Sequence, residues 1–127
     1  MLYHKISGHY NVTHLDSSKV FSEAGIKLAD KLNFQEGKMF NLNNLGNYYE
    51  RKTDYKNAML KYDESLEIAK KLNSTKGFAV ILNNIATIYI RKAEYDKAIE
   101  LLFEALKAEE TLGNENGIAQ AYNNIGV

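Results

Sequence analysis

Paired asparagines recur along the chain and are the residues best suited to molecular recognition. Asn43-Asn44 is followed by Asn83-Asn84 and Asn123-Asn124, at a step of forty residues each time (83 − 43 and 123 − 83). A primary amide carries both hydrogen-bond donors and an acceptor, so it can pair with the backbone of an extended peptide. Arg51 and Arg91 follow the first two pairs at the same step, and guanidinium groups suit carboxylate partners. These residue types therefore predict binding through hydrogen bonds and ion pairs.

One polar helix face would hold these side chains, because they fall at steps of three and four residues. The predicted peptide-binding residues are Asn44, Asn47, Arg51, Asn84, Thr87, Arg91 and Asn124. For the other asparagines, Asn43, Asn83 and Asn123, we favour hydrogen bonds within the protein that hold neighbouring helices in register. Both roles, ligand binding and internal bonding, stay open for each asparagine pair.

Other chemically active residues lack the spacing that catalysis or metal binding needs. His4, His9 and His14 stand five residues apart, whereas ligand pairs on a helix need steps of three or four. Adjacent carboxylates such as Asp63-Glu64 diverge on a helix, and the chain contains no cysteine. No nucleophile motif and no phosphate-binding glycine pattern is present. The sequence therefore predicts no enzyme activity, no metal site and no cofactor.

Composition and charge are those of an ordinary globular protein. Hydrophobic residues make up 45% and charged residues 25% of the 127 residues, and 16 basic residues balance 16 acidic ones. Zero net charge disfavours a surface that binds nucleic acid or anionic lipid. Neither a membrane-spanning stretch nor a secretory signal is recognisable, so we predict a cytoplasmic protein without membrane contact.

Two helices in each forty-residue unit must position these asparagines. Apolar residues recur at helical steps and predict helices over 38–52, 55–72, 78–92 and 95–112. Residues 73–77 and 113–117 are rich in turn formers and are expected to join one helix pair to the next. Because the chain has no proline, glycine and asparagine should end the helices.

Small residues stand where two helices must come close, since a larger side chain would push them apart. These residues are Gly46, Ala58, Ser65, Ala86, Ala98 and Ala105.

The order of these residues resembles the tetratricopeptide repeat. It reads Leu45-Gly46, Tyr49, Asp54-Tyr55, Ala58 and Ser65, and forty residues later Ile85-Ala86, Tyr89, Glu94-Tyr95, Ala98 and Ala105. The resemblance implies an all-α, right-handed superhelical solenoid of antiparallel helix pairs, whose first helices line a concave groove. The period exceeds the commoner value of about 34. With its Asn-Asn opening, the repeat resembles those of kinesin light chains and bacterial signalling proteins.

The register predicts one array across residues 1–127, with units 2–41 (unit one), 42–81 (unit two) and 82–121 (unit three), and a truncated fourth unit over 122–127. Unit one matches least well and is expected to be an edge helix pair. The predicted function is a non-catalytic scaffold or adaptor that binds a protein or peptide in the groove. The alternative is a sensory or dimerising segment of a larger bacterial signalling protein, such as a histidine kinase, a cyclase or a transcription regulator.

A homodimer is expected through the helix that begins near Gly117. Ala121, Tyr122 and Ile125 occupy its apolar face by register, and no second helix follows to cover them. Two outcomes are open: the segment frays, or its apolar face packs against a second copy of the chain, most simply about a two-fold axis. We favour the second outcome.

Overall fold

The computed structural model describes residues 10–112 and 123–126, which contain five long helices and a short helical stretch over 123–125. The long helices are α1 (Tyr10–Leu32), α2 (Gln35–Arg51), α3 (Tyr55–Lys71), α4 (Thr75–Arg91) and α5 (Tyr95–Leu112). No strand occurs in this part of the chain. Consecutive helices pack against each other in pairs, which confirms the all-α solenoid predicted from the sequence.

The forty-residue period arises from helix and loop lengths. α2, α3 and α4 contain 17 residues each. Because three-residue loops separate them, successive helices begin every twenty residues, at positions 35, 55, 75 and 95. Two such steps make one repeat.

The loop between α3 and α4 is shorter than the sequence predicted. Only residues 72–74 separate the two helices, and residues 75–77 form the first turn of α4. The Ser74 hydroxyl accepts a hydrogen bond of 3.1 Å from the Gly77 backbone N–H, so it caps the helix. The predicted helix starts at 38 and 78 are therefore wrong by three residues each. The turn predicted over 113–117 lies outside the described residues.

Each of the first four helices ends with a residue in the left-handed conformation. These residues are Asn33, Thr53, Asn73 and Ala93, with φ between 52° and 61°. The residue after each one bonds back to the helix, as where the Asp54 N–H donates to the Tyr49 carbonyl at 2.9 Å. This Schellman arrangement satisfies carbonyls of the last turn. The expectation that glycine or asparagine ends each helix is wrong at Thr53 and Ala93, because the backbone hydrogen bonds hold that conformation without them.

The small residues lie in the core, as predicted. Ala58, Ser65, Ala86 and Ala105 are fully buried, and Ala98 is nearly so. A Cβ atom at Gly46 would lie 2.5 Å from the ring of Tyr62. At the equivalent positions of unit three, Ala86 shares a core cluster with Leu102. The glycine–tyrosine pair of unit two is thus replaced by an alanine–leucine pair in unit three.

α1 differs from the helix pair that was predicted for unit one. The register places a loop at residues 12–14, forty residues before the loop at 52–54, yet α1 continues through these positions. In unit two the carboxylate of Asp54 accepts a bond from the Asn57 N–H and starts the second helix, whereas His14 stands at the equivalent position. Without that acidic cap nothing marks a new helix start, and residues 10–32 form one helix.

α2 and α4 line the inner side of the stack. α2 and α4 contact each other directly. Any two of α1, α3 and α5 contact each other less. In a curved array, the helices that approach most closely lie on the concave side. The first helices of units two and three therefore form the concave face.

Candidate functional site

An open pocket of about 330 Å³ lies between α1 and α2. Its lining consists of Ser18, Phe21, Ser22, Asn41, Asn44, Asn47, Tyr48 and Arg51. Three residues of the predicted row, Asn44, Asn47 and Arg51, thus meet in one place. Asn44 and Arg51 are exposed. Within the described part of the chain, the Asn44 amide makes no side-chain hydrogen bond and Arg51 forms no ion pair.

The close approach of α1 to α2 shapes this pocket. A Cβ atom at Gly25 would lie 2.5 Å from the Asn41 side chain, so any larger residue there would require the Asn41 amide to move. Asn41 in turn donates its Nδ2–H to the Gly37 carbonyl at 2.9 Å, which fixes the amide on the pocket floor. Phe21 extends from α1 with 75% of its surface exposed and supplies an apolar wall.

Asn47 belongs to a hydrogen-bond network beneath the pocket. The Tyr62 hydroxyl lies 2.5 Å from Asn47 Oδ1 and 2.9 Å from Glu50 Oε1. The hydroxyl has one hydrogen to donate, so Asn47 Oδ1 and Glu50 Oε1 are alternative acceptors for it. Burial raises the pKa of Tyr62, and the negative charge of Glu50 raises it further. The protein itself therefore holds the Asn47 side chain in place.

Two of the equivalent residues of unit three, Asn84 and Arg91, contact α2. Asn84 Nδ2 donates to Asn43 Oδ1 at 2.9 Å. Arg91 Nε lies 3.4 Å from Glu50 Oε2. The Thr87 hydroxyl donates to a carbonyl one turn earlier in α4, at 3.0 Å. Ligand contacts by these three residues stay a prediction, and the structure shows that each already has a partner within the protein.

The first asparagine is the more buried one in the pair Asn43-Asn44, whereas Asn83 and Asn84 are both half-buried. Asn43 is 7% exposed and accepts the bond from Asn84, which agrees with the internal role favoured for it. The Oδ1 atom of Asn83 is buried and has no hydrogen-bond partner among the described residues. Asn123 and Asn124 are both exposed. Neither of them bonds to another described side chain.

The α1 side of the pocket was missed in the sequence, because unit one matches the repeat poorly. A signal was nevertheless present in the register. Ser22 stands forty residues before Tyr62, and Ser18 stands forty residues before Ala58. A serine in place of the large core residue Tyr62 indicates an opening at position 22, whereas Ser18 replaces an alanine and adds no space.

The Arg51 end of the pocket carries positive charge. The ammonium groups of Lys19 and Lys52 lie 5.8 and 5.9 Å from the centre of the Tyr48 ring. The Tyr48 hydroxyl donates to Asp16 at 3.4 Å. Burial raises the pKa of Tyr48, and the charge of Asp16 adds to the shift. Tyr48 in the pocket wall thus has two ammonium groups and one carboxylate near it, and Arg51 lines the same pocket.

Neither a metal cluster nor a membrane span is found in the parts of the chain that the structure describes. No group of three or more histidine, aspartate or glutamate side chains there could hold a metal ion. None of the helices there is both long and apolar enough to cross a bilayer. His4 and His9 lie outside the described residues.

Comparison with known families identifies the repeat. Residues 42–75 and 81–115 match the tetratricopeptide repeat, and together these segments make up more than half of the chain. The chain belongs to the tetratricopeptide repeat family. Such repeats generally mediate interactions between proteins. A comparison with curated proteins found no match. The finer likeness to kinesin light chains stays a prediction.

The tetratricopeptide repeat matches also explain the long period. They begin at 42 and 81, whereas α2 and α4 begin at 35 and 75. The additional residues therefore extend the first helix of each unit at its N-terminal end. Met39 and Ala79 in these extensions are fully buried, so the extensions enlarge the core.

Proposed function

We propose that this tetratricopeptide repeat protein is a non-catalytic adaptor that binds an extended peptide segment of a partner protein on its concave face. The family supports the general role, since its repeats mediate protein interactions. The observation that carries the specific proposal is the pocket between α1 and α2, where Asn44, Asn47 and Arg51 come together.

The chemistry of the pocket suits a peptide better than a compact metabolite. Asn44 can donate to a peptide carbonyl and accept from a peptide N–H. Arg51 can hold a carboxylate with two parallel hydrogen bonds. The row from Asn44 to Arg51 rises by about 10 Å along the helix, which matches about three residues of extended chain. Phe21 lies opposite, where it can cover an apolar side chain of the ligand.

Retention of short peptides tests this function. Immobilised degenerate peptide libraries would be incubated with the protein, and the bound fraction would be measured by fluorescence. Asn44→Ala and Arg51→Gln should each weaken retention by about 1 kcal/mol, roughly fivefold, because each removes direct hydrogen bonds to the ligand. Lys71→Gln, an exposed charge change at the end of α3, serves as the control. Equal retention by all variants, or none by the original protein, would refute the proposal.

Self-association is a second candidate, and an uncovered helix face favours it. Phe21, Leu28 and Leu32 on α1 are 75%, 57% and 64% exposed. Ile68 in α3 is equivalent to Leu28 and packs on the core. A dimerising segment would use such a face to bind a second copy of the chain. Sedimentation equilibrium of Leu28→Ser against the original protein would test this role, and a monomer in both would end it.

The dimer predicted at the C-terminal helix has not been tested. Ala121 and Tyr122 lie outside the described residues. Ile125 packs within the chain, against the cluster of Ala86, Ala98 and Leu102, so part of that apolar face already has a partner.

A further inference from the structure

We infer that unit two alone holds the ligand, in the pocket between α1 and α2, and that the equivalent polar residues of unit three form a seam that joins the repeats. This inference rests on the proposed function and narrows its site. The two units carry matching amides and arginines forty residues apart (84 − 44 and 91 − 51), yet their partners differ.

The amides show the first difference. Asn84 in unit three donates to Asn43 in unit two at 2.9 Å. The residue equivalent to Asn43 in unit one is Tyr3 (43 − 40), which has no amide to accept such a bond. Asn44 therefore lacks the acceptor that Asn84 uses. Its amide lies exposed in the pocket, where its donors and its acceptor are available to a ligand.

The arginines show the second difference, by the same register. Arg91 lies 3.4 Å from Glu50, whose side chain is only 13% exposed. The residue equivalent to Glu50 in unit one is Tyr10 (50 − 40), which carries no carboxylate. Arg51 has no ion pair with any side chain that the structure describes. A ligand carboxylate can therefore pair with the guanidinium group of Arg51, whereas the guanidinium group of Arg91 is already paired with Glu50.

The fold explains why the two copies differ. Unit three stacks on a complete first helix, α2, which supplies both Asn43 and Glu50. Unit two stacks on α1, which is one continuous helix without the loop of a helix pair. The surface of α1 at this point carries Ser18, Phe21 and Ser22, which leave a pocket instead of closing a seam. The partner that fits is an extended peptide segment with a carboxylate side chain.

Asn83 stands in unit three where Asn43 stands in unit two. Its buried Oδ1 occupies the position at which Asn43 Oδ1 accepts the bond from Asn84. Asn124 stands forty residues after Asn84 (124 − 84). The neighbouring Ile125 packs on the Ala86 cluster as Ile85 packs on Ala58 and Tyr62. The Asn83 Oδ1 atom nevertheless has no hydrogen-bond partner among the described residues, which include Asn124, so the bond between Asn43 and Asn84 is not repeated there.

The repeat itself supplies matched variants for the test. Asn44→Ala is compared with Asn84→Ala, and Arg51→Gln with Arg91→Gln. Each protein is measured for its urea unfolding midpoint and for retention of two degenerate peptide libraries, one with a fixed glutamate and one with a fixed glutamine. The unit-two variants should lose retention severalfold at an unchanged midpoint. The unit-three variants should unfold at lower urea and, where folded, retain the glutamate library as the original protein does.

Two further outcomes separate this inference from the proposed function. If the original protein binds the libraries and the unit-three variants lose retention at an unchanged midpoint, the seam is refuted and the adaptor function stands. If the original protein retains neither library, the adaptor function and the assigned ligand site both fail. Asn43→Ala removes the acceptor from the other side of the seam. In the double variant Asn43→Ala/Asn84→Ala, the urea midpoint should fall by less than the sum of the shifts in the two single variants. A fall equal to that sum would refute the seam.

Discussion

Tyr62 links the core of unit two to the polar network of the concave face. Its ring fills the space above Gly46, and its hydroxyl bonds to Asn47 and Glu50. Glu50 in turn pairs with Arg91 of the next unit. In unit three, Leu102 takes the position of Tyr62 and has no hydroxyl group. Of these two units, unit two is therefore the one that has this chain of contacts.

The pairing of Gly46 with Tyr62 predicts a strong coupling between the two positions. Gly46→Ala should lower the free energy of unfolding by about 1–3 kcal/mol, because the added methyl group overlaps the tyrosine ring. In a Tyr62→Leu background the same change should cost less, since it recreates the alanine–leucine pair of unit three. Urea unfolding of the four proteins gives the coupling energy. Additive losses would show that the ring does not set the helix spacing.

The raised pKa of Tyr62 predicts a loss of stability at alkaline pH. Below about pH 10, the ordinary tyrosine value, the hydroxyl is protonated in both folded and unfolded chains. Above it, the unfolded chain releases the proton while the folded protein keeps it, so the free energy of unfolding falls as pH rises.

Replacing Tyr62 by phenylalanine should flatten this alkaline slope by up to about 1.4 kcal/mol per pH unit, because one titrating group is removed. Urea titrations at several alkaline pH values measure the slope. The exposed residue Tyr95 offers a control, Tyr95→Phe. An unchanged slope in Tyr62→Phe would mean that the buried hydroxyl does not govern alkaline unfolding.

At the scale of the elements, the backbone conformation of the loops repeats although their sequences differ. A left-handed residue follows every twenty residues, as asparagine at 33 and 73, threonine at 53 and alanine at 93. Asparagine tolerates this conformation, whereas other residues with a Cβ atom are strained in it. The hydrogen bonds at the helix ends therefore impose the left-handed conformation at all four positions. Only the two asparagines are residues that favour it.

Glycine at position 93 should relieve the strain in the loop after α4. Ala93→Gly should raise the free energy of unfolding by about 1 kcal/mol, because φ near 61° costs alanine more than glycine. Asn73→Gly should have a smaller effect, since asparagine is already suited to the conformation. Thermal melts of both variants provide the comparison. A lower melting temperature for Ala93→Gly would indicate that the entropy of the unfolded chain outweighs the strain.

At the scale of the whole molecule, stability should vary along the array. Each unit of a solenoid is stabilised by its neighbours. α1 leaves Phe21, Leu28 and Leu32 largely exposed, whereas α4 buries Ile81, Leu82 and Ile88 almost completely. The end that begins with α1 thus has less apolar contact than the centre.

Hydrogen exchange should report this gradient. Backbone amides of α1 should exchange faster than those of α3 and α4, because local opening is easiest where little apolar surface is buried. Mass spectrometry of peptic fragments resolves the three helices. Uniform protection along the described helices would mean that the array opens only as one unit.

Much of the fold could be predicted from the sequence. The steps of three and four residues located four helices, and the small residues located the close contacts between them. The helix starts could not be placed in this way. Gly77 follows Asn73, Ser74 and other turn formers, yet it is buried in α4, where a Cβ atom would lie 2.7 Å from Met39. Its glycine serves the approach of α4 to α2, a long-range contact that local composition does not contain.

The candidate site could likewise be predicted from the sequence only in part. The forty-residue step by itself determined that one polar row recurs in units two and three, because the period places equivalent residues on equivalent helix faces. Only the tertiary structure decided what each copy binds. Asn84 and Arg91 lie against α2 and bond to it, whereas Asn44 and Arg51 lie beside α1 and face a pocket. The reason is that the partners of a repeat residue are set by the unit stacked before it, and here the preceding units differ.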